Sequence, residues 1–418
     1  MVAHSATLEI NERVAAYRDA GRKVLHLGFG EAGLPVHPAL ADRLHEAVAA
    51  NGYAPVAGSA AARQAAAGYW SRRGLPTGPD QVLLAPGSKP LLYAVLAAVG
   101  GDVVLPVPSW VTYAAQAALA GRKVIGVPVA DGYGGVPDPD RLVAVVRDAR
   151  AAGADPRLLV VTLPDNPTGT LAPEHAVREV CAIAEREGLV VLSDEIYRDL
   201  VHDGGAVASP ASYLPQRTIV TGGLSKNLAL GGWRIGFARL PDTAEAARWR
   251  DTMLGVASEL WSCIASPMEN VAVYALDEPA EVVEHVTRAR RLHGAVAAAV
   301  AETFAAAGAT LRTPDAAFYL YPDLEAVRPG LDRQGVRSGA DLGRYLLDEH
   351  GLAVLPGESF GDAPDALRFR VATSLLYGDT EKRWAALASD DPVRLPWIAG
   401  SLEQLRGILG SVANQVSV

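Results

Sequence analysis

Short, continuous apolar segments recur through the middle of the chain, and helical patterns of polar and apolar positions separate them. Because these segments are apolar at every position, the strands they predict must be covered on both faces. Such alternation of strands and helices predicts an α/β domain with a mostly parallel central sheet flanked by helices, whose ligands bind at the carboxyl ends of the strands. The predicted strands cover residues 81–84, 103–106, 123–128, 157–163, 189–193, 218–221 and 235–239.

The pattern changes near residue 281. A long helix rich in Ala, Val and Arg is predicted over 281–307, followed by shorter strands and helices. This mixture is typical of a smaller α+β domain. Its last helices need a packing partner, so we expect the N-terminal residues to join it. The predicted organisation is an N-terminal arm with part of the small domain (1–45), a large domain (46–280) and a small C-terminal domain (281–418).

Composition and charge narrow the functional classes. The chain has 418 residues, enough to bury a large core without disulfides or a structural metal. Its net charge of −9 argues against a nucleic-acid partner, which requires a basic surface. Its two cysteines, Cys181 and Cys263, fit a reducing compartment. No signal peptide or membrane span is predicted. We therefore expect a cytoplasmic protein that acts on small molecules.

Lysine is rare in this sequence, since only five of the 38 basic residues are lysine. One of them, Lys226, follows a predicted buried strand and is flanked by glycines and small residues. Burial drives a lysine towards its neutral, nucleophilic form, which is the form that makes a Schiff base. A solvated lysine in a surface turn is the alternative, and position alone leaves both open.

Other motifs also follow predicted strands. The acidic pair in 193–197 (Ser-Asp-Glu-Ile-Tyr) has no His or Cys cluster near it in sequence, so a metal site is not expected. The segment 163–169 (Leu-Pro-Asp-Asn-Pro-Thr-Gly) alone indicates a turn. Residues 28–33 match a G-x-G-x-x-G dinucleotide fingerprint, but Pro35 and Pro38 delay the next helix and no acid follows at the expected distance. A plain glycine turn is favoured there.

Taken together and in this order, these motifs resemble those of the fold-type I pyridoxal-phosphate-dependent aminotransferases of class I/II, the aspartate aminotransferase superfamily. The resemblance extends over almost the whole chain. It implies the fold of that superfamily, a large cofactor-binding domain and pyridoxal 5′-phosphate as cofactor. The matching segments are 27–31, 53–58, 86–89, 107–113, 164–169, 194–197, 225–226, 233–236, 317–322, 355–361 and 368–374.

The resemblance implies a role for each matching residue. Lys226 would form the Schiff base with the cofactor and then shuttle a proton, and Asp194 would pair with the pyridine nitrogen. Asn166 and Tyr197 would donate hydrogen bonds to the phenolic oxygen, and Trp110 would stack on the ring. The residues implied in phosphate binding are the backbone amides of Ser88 and Lys89, the Ser225 hydroxyl, the Arg234 guanidinium and, from a neighbouring subunit, Tyr53.

The contribution of Tyr53 implies a homodimer with shared active sites. For the substrate, motif register favours Arg368 over Arg370 as the clamp on the α-carboxylate, with Gly30 and Asn166 beside it. Lys89 is a candidate to contact the distal carboxylate of an acidic substrate such as aspartate or glutamate. Alternatively, it only lines the phosphate turn through its backbone.

Three residues depart from the usual family pattern, namely Gly223, Pro90 and Arg198, and we expect them near the rim of the cofactor site. The resemblance also implies a cis Asn166–Pro167 bond. The predicted activity is a ping-pong transfer of an amino group between an L-amino acid and a 2-oxo acid. The alternatives are elimination, replacement, racemisation or amino-acid oxidation on the same scaffold, and a non-catalytic regulatory homologue.

Overall fold

The computed structural model describes residues 6–417, and side chains within 8–413. The helices are α1 (Ala6–Asp19), α2 (Pro38–Ala47), α3 (Ala60–Arg72), α4 (Ser88–Val99), α5 (Val111–Leu119), α6 (Pro139–Ala151), α7 (Glu174–Arg186), α8 (Leu224–Asn227), α9 (Ala244–Leu260), α10 (Ser266–Asp277), α11 (Ala280–Ala306), α12 (Arg328–Arg333), α13 (Gly339–Asp348), α14 (Thr380–Ala388) and α15 (Pro396–Ser417). The strands are β1 (Leu25–His26), β2 (Val82–Pro86), β3 (Asp102–Val107), β4 (Val124–Pro128), β5 (Pro156–Thr162), β6 (Val190–Asp194), β7 (Thr218–Gly223), β8 (Ile235–Arg239), β9 (Tyr319–Leu320), β10 (Leu352–Ala353), β11 (Leu355–Pro356) and β12 (Phe369–Ala372).

A seven-stranded sheet forms the large domain, in the order β2-β8-β7-β6-β5-β3-β4. Only β8 runs antiparallel to its neighbours, so the predicted mostly parallel sheet is confirmed. Its central strands are buried almost throughout because helices cover both faces, as the continuous apolar segments indicate. The carboxyl ends of β3, β5, β6 and β7 therefore open on the same edge of the sheet.

The small domain is built on the antiparallel sheet β11-β12-β9; the long helix α11 packs on β9, and α15 packs on α11. Strand β1 pairs in parallel with β10, which ties the N-terminal segment to this domain. Helix α2 instead packs on α10 of the large domain. The domain boundaries at 45 and 280 stay predictions. None of the helices among the described residues has the length and apolarity needed to cross a membrane.

The predicted cis bond at Asn166–Pro167 is wrong. The two cis bonds are Val107–Pro108 and Leu163–Pro164, at the ends of β3 and β5. The turn that follows is closed by the Thr168 amide donating to the Asp165 carboxylate at 3.1 Å and by Gly169 donating to the Asp165 carbonyl. These bonds form a turn stabilised by an aspartate side chain, which accommodates Pro167 with a trans bond.

The small-domain core encloses a buried histidine, His293 on α11. Its Nδ1 lies 2.7 Å from the hydroxyl of Tyr377, and its Nε2 has no hydrogen-bond partner among the described residues. Burial, and secondarily the nearby His202, lower the pKa of His293 from 6.5 to about 3. The folded protein therefore holds His293 neutral at pH values where the unfolded chain binds a proton.

This difference predicts a pH-dependent loss of stability. Because the unfolded chain takes up the proton near pH 6.5 and the folded protein only near pH 3, His293 should lower the free energy of unfolding as the pH falls through that window. Relative to a His293→Asn variant, the wild type should lose about 1 kcal/mol between pH 6 and pH 5. Urea unfolding at both pH values measures this, with the exposed His175→Asn as the control substitution. Parallel pH profiles for wild type and His293→Asn would contradict it.

Candidate active site

A cleft of about 540 Å³ opens at the carboxyl edge of the large sheet, between that edge and the N-terminal and small-domain segments. It gathers residues that are far apart in the sequence. Of the residues predicted for the site, the structure brings together Gly30, Ser88, Lys89, Trp110, Asn166, Asp194, Tyr197, Ser225, Lys226 and Arg234.

Lys226 lies in α8, the single helical turn that follows β7. Its side chain is half-buried, and its Nζ donates a hydrogen bond to the carbonyl oxygen of Gly30 at 2.6 Å. This contact joins the large domain to the N-terminal segment across the cleft. The amine therefore faces the cavity, which excludes the alternative of a solvated lysine in a surface turn.

Asp194 ends β6 and is almost completely buried. Its carboxylate accepts hydrogen bonds from the hydroxyls of Tyr113 at 2.9 Å and Thr221 at 3.3 Å. Burial raises the pKa of Asp194 from 3.8 to about 6, although both hydrogen bonds act in the opposite direction. The Tyr113 hydroxyl also lies 2.9 Å from that of Thr162 on β5, which fixes its orientation. The cleft thus has one buried, oriented acid at its base.

Asn166 and Tyr197 meet at the centre of the cleft. The Asn166 amide nitrogen lies 3.5 Å from the Tyr197 hydroxyl, which lies 3.0 Å from the hydroxyl of Tyr319. Tyr319 in turn points at the carbonyl oxygen of Gly30, at 3.5 Å. Gly30 has to be glycine, because a Cβ there would lie 2.4 Å from the Tyr319 hydroxyl.

The preference for Arg368 as the carboxylate clamp is wrong about location. Arg368 makes a bidentate pair with Asp362, at 2.8 and 2.9 Å, outside the cleft. Arg370 instead lines the cleft, fully buried, and donates to Asn166 Oδ1 at 3.1 Å and to the Gly28 carbonyl at 2.9 Å. Because Arg368 is paired with Asp362, only Arg370 reaches Asn166. Nε of Arg370 is buried without a partner among the described residues.

The N-terminus of α4 borders the same cleft. Its free backbone amides begin at Ser88, where a helix dipole favours anions. Arg234 lies against this turn so closely that a Cβ on Gly87 would come within 2.0 Å of its guanidinium. Gly87 also has a φ of +85°, which suits glycine. Pro90 falls in the first turn of α4, where an amide has no partner within the helix, so its missing N–H costs little.

Lys89 projects beside this turn, with its Nζ 5.3 Å from the centre of the Trp110 ring. Partial burial lowers the pKa of Lys89, and the positive charges of Arg234 and Lys226 lower it further. The lysine side chain therefore faces the cleft together with two other cations, in addition to any role of its backbone.

Three predicted positions lie away from the cleft. Tyr53 is 93% exposed in the single chain. Gly223, at the end of β7, does not line the cavity. The expectation that Arg198 lies at the cofactor rim is wrong, because this side chain is buried in an ion pair with Glu195 at 2.5 Å.

The sequence reasoning missed two tyrosines of the site, Tyr113 and Tyr319. Both lie inside segments that had been matched to the family, 107–113 and 317–322, but only Trp110 was given a role from them. One signal could have identified Tyr113 and Tyr319. Each follows or lies within an apolar strand next to a predicted site, and a buried tyrosine hydroxyl needs a polar partner.

The family model described as aminotransferase class I and II matches residues 22–375. This chain belongs to that family. It is 31% identical over 382 residues to the aspartate aminotransferase of Geobacillus stearothermophilus, covering 89% of this chain and 92% of the relative. It is 30% identical over 376 residues to the aspartate/prephenate aminotransferase of Thermus thermophilus, covering 88% and 92%.

Solved structures of aminotransferases share the fold of this chain. An aspartate aminotransferase from Thermus thermophilus with maleate superposes with a TM-score of 0.81 at 26% identity, covering 97% of both chains. The protein is therefore an amino-acid aminotransferase with the α/β fold of its structural relatives.

Proposed function

We propose that this aminotransferase binds pyridoxal 5′-phosphate in the cleft through Lys226 and transfers an amino group between an acidic L-amino acid and a 2-oxo acid. The observation that carries the proposal is the meeting of Lys226, the buried Asp194 and the buried Arg370 in one cavity. Chemistry on an amino-acid imine needs three groups: an amine, which is Lys226, an acid, which is Asp194, and a cation that binds the carboxylate, which is Arg370.

The charges of the cleft fit this cofactor and substrate. Four cations line it, Lys89, Lys226, Arg234 and Arg370, and the buried acid is Asp194. A phosphate dianion beside the α4 terminus and Arg234 would compensate part of this charge. A substrate carboxylate would satisfy the buried, unpartnered Nε of Arg370.

When bound, pyridoxal phosphate supplies an aldehyde for imine formation and an electron-withdrawing ring. Lys226 would hold the cofactor through its amine, and the same amine, once free, could carry a proton to and from the substrate Cα. Asp194 would accept a hydrogen bond from the protonated ring nitrogen and so keep that proton in place. With its pKa at about 6, the carboxylate is mostly ionised at neutral pH, and a cationic partner would hold that pKa lower still.

Asn166, Tyr197 and Arg370 line the cleft next to one another. The Asn166 carbonyl oxygen accepts from Arg370, which leaves its amide nitrogen turned towards Tyr197. This orientation allows Asn166 and Tyr197 to donate to the phenolic oxygen of the cofactor while Arg370 binds the α-carboxylate bidentately. Tyr319 contacts both Tyr197 and Arg370. Its hydroxyl lies next to that of Tyr197, and its ring centre lies 4.7 Å from the Arg370 guanidinium carbon.

The position of Lys89 favours an acidic substrate. Its ammonium lies beside Trp110 at the cleft and is available for a second carboxylate. The relatives named for aspartate or aspartate and prephenate, and a structural relative studied with the dicarboxylate maleate, favour the same choice.

We also propose that the enzyme is a cytoplasmic homodimer in which Tyr53 reaches the phosphate of the partner subunit. Tyr53 is 93% exposed in the single chain, so its side chain is free to contact a second subunit. Its place in a family motif supports a partner that covers it.

The reaction itself can be tested on the purified protein loaded with pyridoxal phosphate. Mixing with aspartate or glutamate should move the absorbance from the visible band of the aldehyde form to the shorter wavelength of the amine form, and a 2-oxo acid should reverse the change. A Lys226→Arg variant keeps the charge but has no amine that deprotonates, so its rate should fall by about 10²–10⁴-fold or more. Release of ammonia without reversal would contradict transamination and favour elimination on the same scaffold.

The assignment of the carboxylate clamp has a matched pair of variants. Arg370→Lys should lower kcat/KM for aspartate about 100-fold, because a bidentate charge-assisted hydrogen bond is worth roughly 1.5–3 kcal/mol. Arg368→Lys, two residues away, should stay within about threefold of wild type, because its partner Asp362 lies outside the cleft. Steady-state kinetics with thermal unfolding of both variants measures this. A larger loss for Arg368→Lys would refute the assignment.

A further inference from the structure

A partly buried polar network centres on Asp199, two residues after Tyr197, and lines a second pocket outside the cleft. Its carboxylate accepts hydrogen bonds from Arg73 at 2.8 and 2.9 Å, from the Tyr69 hydroxyl at 2.8 Å and from the Asn227 amide nitrogen at 2.8 Å. The donors come from two segments, the end of α3 and α8, which therefore meet on one carboxylate. One of them is α8, the turn that carries Lys226.

The network keeps Asp199 charged. Burial by itself would raise the pKa of Asp199, but Arg73 and the hydrogen bonds from Tyr69 and Asn227 lower it overall. Arg73 is held in turn by Glu278 at 2.5 Å, beyond the end of α10. A charged, multiply bonded acceptor gives a stronger and more directional hydrogen bond to Asn227 than a neutral one would.

The other end of the Tyr197 segment is fixed as well. Glu195 pairs with Arg198 and accepts from the hydroxyls of Ser193 at 3.0 Å and Ser209 at 2.5 Å. The departure at Arg198 thus supplies a local buried counter-ion. Residues 194–199 are anchored on both sides of Tyr197.

Lys226 has less local support. Helix α8 is a single turn of four residues, and the chain that follows includes Ala229 with a φ of +55°, a costly conformation for alanine. Asn227 is buried, and its amide nitrogen donates a hydrogen bond to Asp199. Its Oδ1 has no partner among the described residues.

We propose that Asn227 and Asp199 are positioning residues that hold the Lys226 turn in register with the Tyr197 segment, and so set where the lysine amine lies relative to the tyrosine hydroxyl. The contact acts through the backbone of two adjacent segments and reaches neither substrate nor cofactor. The catalytic consequence rests on the proposed function, whereas the tether itself does not.

The tether can be tested with Asn227→Ala. As a control, Thr218→Val removes a buried hydrogen bond to the Leu214 carbonyl at the opposite end of β7. In the cofactor-free protein, hydrogen exchange followed by mass spectrometry should speed up in residues 224–230 and 195–200 for Asn227→Ala only. Exchange equal to wild type in both segments would overturn the proposal.

The consequence at the site is read from the protein loaded with pyridoxal phosphate. The pH at which its visible absorbance changes should shift by about half a unit or more in Asn227→Ala, and kcat should fall about tenfold with KM within about threefold. Thr218→Val should lower the melting temperature without moving either quantity. An unchanged absorbance titration in Asn227→Ala would overturn the positioning role. Wild-type protein without a visible band would contradict the proposed function instead, and hydrogen exchange would still decide on the tether.

Discussion

Four cationic side chains line one cleft, and their positive charge is the constraint that any ligand of this site has to meet. Its effect is visible at Lys89, whose pKa is lowered by partial burial and by the charges of Arg234 and Lys226. A cleft with this charge favours ligands that carry several negative groups. The proposed cofactor phosphate together with a dicarboxylic substrate would meet that demand, which is the physical reason for proposing an acidic amino acid.

Such a cluster must be held in place by the surrounding backbone. Two glycines of the site leave no room for a side chain: Gly30 lies against the Tyr319 hydroxyl, and Gly87 against the Arg234 guanidinium. The Gly30 carbonyl receives the Lys226 amine, and the Asp199 network restrains the turn that carries that lysine. The precision of the site thus comes from residues that themselves do no chemistry.

Much of the fold could be predicted from the sequence because the signals are strong and local. Apolar segments without alternation indicate strands covered on both faces, and the sheet has them at the expected places. The predicted residues at the strand ends, such as Asp194 and Lys226, meet in the cleft because parallel strands bring their carboxyl ends to one edge.

The predictions that were wrong concern side chains whose location depends on residues that pack against them in the folded protein. Arg368 and Arg370 are equivalent by periodicity, and the presence of Asp362 beside one of them decides between them. Arg198 is turned away from the cleft by Glu195, three residues earlier. The role of Tyr319 depends on strand β9 lying under the N-terminal segment, which no local pattern reports.

The proposed function requires that Lys226 binds the cofactor covalently. Borohydride reduction of the protein loaded with pyridoxal phosphate, followed by peptide mass spectrometry, measures this, because reduction makes the lysine–cofactor bond permanent. We expect a single phosphopyridoxyl label on the peptide that contains Lys226. A label on Lys89 instead, the other lysine of the cleft, or no label on either, would contradict it.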